Sequence, residues 1–190
     1  EERVAFRMHA SSSRGLVLLL LMATLSPLAV PTAMATQGSI SSDETWSTPK
    51  VLTGDVIVER GSTLTISKGV TIDASTHRIL VNGTLIGDGI TISSTAPDVG
   101  PASSGAGRWT GFEVSQDGTL ELSNSSILHA KTAFLIDGTA NLSNVSVGTS
   151  YVGVDIHGSA HLDEVRCDGI DFECILARGT VTATDIEVSN

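Results

Sequence analysis

Residues 118–127 read GTLELSNSSI and residues 138–147 read GTANLSNVSV. A phrase repeated at a spacing of 20 residues constrains this chain more than any other feature, because a fixed period of that size marks an architecture built by stacking. Glycine anchors the alignment at Gly118, Gly138, Gly158 and Gly179, with spacings of 20, 20 and 21. Two residues after each anchor stand Leu120, Ala140, Ala160 and Val181; four after stand Leu122, Leu142, Leu162 and Ala183. Ser125, Val145, Val165 and Ile186 follow at seven, and Ile127, Val147, Cys167 and Val188 at nine. Four before the anchors are Val114, Phe134, Val154 and Ile175.

Alternation with period two predicts strands with one buried face. Each unit holds three such stretches, too short to form a hairpin sheet of their own. Stacked on copies of themselves they close a coil, each strand pairing in parallel with its counterpart one turn later at ~4.8 Å. GSTLTISKGVTI at 61–72 and GTLIGDGITI at 83–92 repeat the grammar upstream. The Ser-, Gly- and Pro-rich 94–107 has no apolar period and reads as a loop bulging from one coil. We expect about six coils of ~20 residues from Val51 onward, with Trp46 capping the open end and 36–45 a flexible lead-in. A leucine-rich repeat would show helical periodicity, which is absent, and a left-handed β-helix would want a strict six-residue repeat.

GDVIVERGSTLTISKGVTI and GTLELSNSSI resemble the right-handed parallel β-helix repeats of the pectin-lyase-like superfamily, in the versions found in secreted and cell-surface proteins. The resemblance covers roughly 46–190 and implies an all-β, right-handed solenoid domain there. In that family an asparagine ladder lines the turn between the second and third strands. Asn124 and Asn144, six after their anchors, match it; Glu164 and Asp185 depart from it, which implies a ladder two rungs long. Hydrolases of the superfamily carry NTD, DD, GHG and RIK patterns, and none of these strings occurs here. VDIHG at 154–158 comes nearest, but Asp155 and His157 are single residues on successive outward sites.

The N-terminal region bounds the location. From Met8, a short positive segment (His9, Arg14) precedes the apolar run Leu16–Val30, and Ala33-Met34-Ala35 supplies a small-x-small cleavage pattern. This is the grammar of a secretory signal peptide cut after Ala35. The run falls short of the ~20 residues of a spanning helix and is interrupted by Pro27 and Pro31. Residues 1–7 read as upstream translation, so domain organisation is 1–35 leader, 36–45 lead-in and 46–190 solenoid, a pattern still running at Asn190 that we expect to be cut short there. Removing the leader takes away Glu1, Glu2, Arg3, Arg7 and Arg14 and leaves 19 acidic against 8 basic residues, net −11. That excess argues against a nucleic-acid partner. No second apolar run long enough to span a membrane follows within the sequence, so no membrane association is expected after cleavage unless a C-terminal anchor lies beyond Asn190.

Several residues carry candidate chemistry. DEVRCDGIDFE at 163–173 is the densest acidic stretch; Asp163, Asp168 and Asp171 are candidate Ca²⁺ ligands, against the plainer reading of a solvated acidic turn. The position before each anchor stacks Asp117, Asp137, His157 and Arg178, which we read as a charge-balanced outer ladder. His157 and His161 have the H-x-x-x-H spacing, but on strands they lie around a corner, which argues against zinc. Cys167 and Cys174, the only cysteines, are expected to form a disulfide in an exported chain, with two buried thiols as the alternative. Sequons begin at Asn82, Asn124, Asn141 and Asn144, and Asn82 and Asn141 are the candidate glycan sites because a buried ladder would occupy the other two. Trp109 beside the loop is a candidate platform for a sugar ring.

Two function classes follow. The first is a non-enzymatic secreted or cell-surface rod or adhesion module whose partners are surface polysaccharides or other surface proteins, with no cofactor. The second is a polysaccharide-binding or polysaccharide-cleaving β-helix, with the 94–107 loop and Trp109 forming its groove.

Overall fold

The computed structural model describes residues 32–96 and 108–189. The apolar leader, loop residues 97–107 and Asn190 lie outside the described residues. Seventeen strands follow in order: β1 (Met34–Ile40), β2 (Glu44–Trp46), β3 (Lys50–Val58), β4 (Thr63–Ile66), β5 (Thr71–Asp73), β6 (Arg78–Val81), β7 (Thr84–Asp88), β8 (Thr91–Ser93), β9 (Gly111–Val114), β10 (Thr119–Leu128), β11 (Thr132–Ile136), β12 (Thr139–Gly148), β13 (Val152–Ile156), β14 (Ser159–Asp168), β15 (Glu173–Ala177), β16 (Thr180–Thr184) and β17 (Glu187–Ser189). All pair in parallel, and no helix among the described residues is long and apolar enough to cross a membrane.

The pairings run along three faces of a β-solenoid of about seven turns. On the first face Ile57, Leu80, Glu113, Leu135, Asp155 and Leu176 are in register. On the second, Thr63, Thr84, Thr119, Thr139, Ser159 and Thr180 are in register. On the third, Ile92, Ile127, Val147, Cys167 and Val188 stack. The inward residues form one continuous apolar core, including Leu85, Leu120, Leu142 and Leu162 from the second face. Burying such a side chain contributes ~1.5–3 kcal/mol each, which is how a chain with 4% aromatic residues fills its interior.

The glycine anchors have a steric cause. A Cβ at Gly118, Gly138, Gly158 or Gly179 would fall well inside 3.0 Å of a carbonyl oxygen of the preceding turn or of its own corner: Val81, Ser115, Gly138 and Gly158 respectively. The turn can close at that height only without a side chain.

Three expectations are corrected. Residues 36–45 are not a flexible lead-in: β1 pairs with β3 from Met34↔Lys50 to Ile40↔Val58, and β2 pairs with β4. Backbone pairing, which needs no particular side chain, recruits this Gly- and Ser-containing stretch and adds the turn that the count of six omits. Trp46 is an inward, buried residue of β2 with its indole N–H donating to Glu44 Oε1 at 2.7 Å. The second and third strands of the later coils are also not separate. In β10, β12 and β14 the chain stays extended through the corner except at one left-handed residue, Asn124, Asn144 or Glu164 (φ 50°, 51° and 52°).

Candidate functional site

The outer surface is organised by position in the repeat, so side chains from successive turns meet along the axis. Directly before the anchors, Arg60 pairs with Asp117. Further on, His157 Nδ1 lies 2.9 Å from Asp137 Oδ1, and Arg178 Nη1 lies 2.8 Å from His157 Nε2. The first face adds Asp155, whose Oδ1 is 3.2 Å from His157 Nε2 and whose Oδ2 is 3.5 Å from Arg178 Nη1. Of the expected row Asp117, Asp137, His157 and Arg178, the last three are linked, Asp117 is taken by Arg60, and Asp155 joins from the first face to make a cluster of two carboxylates, an imidazole and a guanidinium. Asp155 is the most buried of these, its side chain 16% exposed against 39% for His157. Its Oδ1 is buried and without a hydrogen-bond partner among the described residues.

A second cluster lies on the same face, where Arg78 bridges Asp55 (Nε to Oδ2, 2.9 Å) and Glu113 (Nη1 to Oε2, 2.7 Å). The Glu113 charge raises the Arg78 pKa above its ordinary value; burial opposes this and Asp55 adds to it. Spacing from the glycine anchors does not bring this network out, because its residues precede the regular coils.

The corner between the second and third faces carries the amide ladder. Asn144 Nδ2 donates to Asn124 Oδ1 at 2.9 Å, Asn124 Nδ2 donates to Asp88 Oδ1 at 2.6 Å, and Arg166 Nη1 donates to Asn144 Oδ1 at 2.9 Å. The Asn124 amide and then the Ser123 hydroxyl hold the Asp88 carboxyl below its usual range. The ladder differs from expectation in one respect: Asn124 and Asn144 are exposed, because the left-handed corner turns their side chains outward. Of the four sequon asparagines, these two and Asn141 are exposed, and Asn82 is half-buried. Burial thus does not single out Asn82 and Asn141; what separates Asn124 and Asn144 is that their amides are engaged.

Trp109 cannot serve as a sugar platform. It is 0% exposed, its indole N–H donates to Leu128 O at 2.9 Å, and it packs edge-on to Phe112 at 5.4 Å. Phe112 stacks in turn on Phe134 at 5.5 Å. The bridge Trp109↔Ala130 brings the chain back into the solenoid there, so the ring faces the core.

The three candidate calcium ligands are not brought together. Asp163 accepts from Thr184 Oγ1, Asp168 from Ser189 Oγ, and Asp171 pairs with Arg108 at 2.8 Å. No group of three metal-ligating side chains occurs among the described residues. His157 stands at the corner after β13, and His161 lies within β14 on the second face.

Cys167 and Cys174 form a disulfide with 5.9 Å between their Cα atoms. It joins the third face of one turn to the first face of the next, across the corner that carries the 21-residue spacing.

These features define a parallel β-solenoid with clusters of outer polar groups that pair between turns. Comparison with protein-family models, curated proteins and solved structures finds no match.

Proposed function

We propose that this chain is a secreted or cell-surface β-helix of the pectin-lyase-like type that acts without catalysis, as a rigid spacer or an adhesion and interaction module. The observation that carries the reading is the way the ionisable side chains are used. Asp137, His157, Asp155 and Arg178 are gathered against one another between turns, and so are Asp55, Arg78 and Glu113. A hydrolytic carboxylate pair would have to stand free with room for water and substrate between the two groups. The leader-like segment supports export, and the acidic surface fits an exterior-facing protein.

The test is direct. Purified protein is incubated with a panel of neutral and uronate polysaccharides, and reducing ends, unsaturated products and viscosity are followed. No change is expected, while retention on one of the same polymers or on a surface protein supports the module. Sustained chain cleavage would replace this reading with a polysaccharide-processing enzyme.

A further inference from the structure

The cluster on the first face contains two hydrogen-bond arrangements that exclude each other. An arginine has only donors, so the 2.8 Å contact from Arg178 Nη1 requires a lone pair on His157 Nε2. The ring proton must then sit on Nδ1, where it donates to Asp137 Oδ1 at 2.9 Å. This leaves the buried Asp155 Oδ1 facing the same Nε2 at 3.2 Å with no donor. A proton arriving from solvent at Nε2 reverses these roles. Nε2 becomes a donor to Asp155 Oδ1 and can no longer accept from Arg178. The four groups pass from net −1 to neutral, and two cations face each other across the former contact.

We propose that Asp137, His157, Asp155 and Arg178 form a proton-operated latch across three successive turns. With a neutral imidazole, Arg178 is held on the ladder. With a protonated one, His157 closes on Asp155, the Arg178–His157 contact is lost, and Arg178 keeps only its 3.5 Å contact with Asp155 Oδ2. The groups that contact the imidazole come from every neighbouring element: Asp137 from the corner after β11, Asp155 from β13 and Arg178 from the corner after β15. The next charge along the row, Asp117, is engaged by Arg60. His157 is 39% exposed, so the proton has open access. Acidification thus frees Arg178 from the imidazole and leaves it on Asp155 alone. This holds whether or not the proposed function is correct.

The latch is tested by nitrogen-15 NMR of the unmodified chain, with the His157 ring assigned by loss of its signals in His157→Gln. At about pH 8 the neutral ring should be the Nδ1–H tautomer, the less common form of free histidine. On acidification both ring nitrogens should become protonated, with Nε2 now donating to Asp155 Oδ1. The Arg178 side-chain signals should change in the same transition, as the contact with Nε2 is lost. Arg178→Gln removes the donor that requires a lone pair on Nε2, so the preference of the neutral ring for the Nδ1–H tautomer should weaken in that variant. An Nε2–H tautomer at high pH, or Arg178 signals that ignore the His157 transition, would overturn the proposal. Both of those readouts come from the unmodified chain, so they decide the question even where a variant folds poorly.

Discussion

At the residue scale, the strained positions are the informative ones. Glu164 takes the left-handed conformation that Asn124 and Asn144 take on the two preceding turns. Asparagine tolerates this region and glutamate does so poorly. Glu164→Asn should therefore raise stability by about 0.5–1 kcal/mol, read as a higher midpoint in thermal unfolding. A neutral or destabilising result would mean that the Glu164 side chain has a stabilising role the geometry does not show. The anchor glycines should respond in the opposite way. Gly138→Ala places a methyl group against backbone carbonyls that cannot swing aside, and a loss of about 1–3 kcal/mol is expected in urea unfolding. Asp88 supplies the acid response. Its carboxyl is held below the usual range, so it contributes stability that is complete above the unfolded-state value of ~3.9 and is lost as pH falls through its lower folded value. Asp88→Asn should flatten this part of the stability–pH curve, measured by denaturant titration between about pH 5 and pH 2.

At the element scale, each strand is held by the turns above and below it. Leu142 lies in β12, between β10 and β14, and its partners Leu122 and Leu162 are buried like itself. Leu142→Ala leaves a cavity bounded on both sides and should cost about 2–5 kcal/mol in equilibrium unfolding. The Cys167–Cys174 bridge ties β14 to β15, where the inward residues are only half-buried: Ile175 and Cys174 pack against the core from its margin. Reduction should lower stability by about 2–3 kcal/mol on the loop-entropy model. Hydrogen exchange should locate the loss in 168–189, with 111–165 little changed. Uniform loss of protection along the chain would show that the bridge supports the whole solenoid and not its last described turn.

At the scale of the whole molecule, contacts run mainly between successive turns, so stability is close to a sum of turn and interface terms. Exchange protection should grade from the outer turns toward the middle, where the rings of Trp109, Phe112 and Phe134 pack on one another. The surface follows the same rule. A position in the repeat becomes a row along the axis, and whatever residues fill the row must satisfy one another. In that way one repeat both builds the core and places His157 between two carboxylates and an arginine.

The sequence by itself determined the solenoid. Alternation at fixed offsets from Gly118, Gly138, Gly158 and Gly179 is a local, periodic signal, and stacking is the arrangement that buries it. It also determined the row Asp117, Asp137, His157, Arg178 and the pair Asn124 and Asn144, because equal spacing becomes adjacency once turns stack. Only the tertiary structure decided the rest. Residues 34–40 become a strand through backbone pairing with β3, for which their side chains give little signal. Trp109 turns inward because it bridges to Ala130 within the solenoid, beyond a Ser-, Gly- and Pro-rich stretch of sequence that interrupts the periodicity on which the alignment depends. Asp163, Asp168 and Asp171 are close in sequence yet engage Thr184, Ser189 and Arg108 separately, since a strand and a corner direct them apart. Asp155 joins the ladder from the neighbouring row, across a distance that spacing along the chain does not encode.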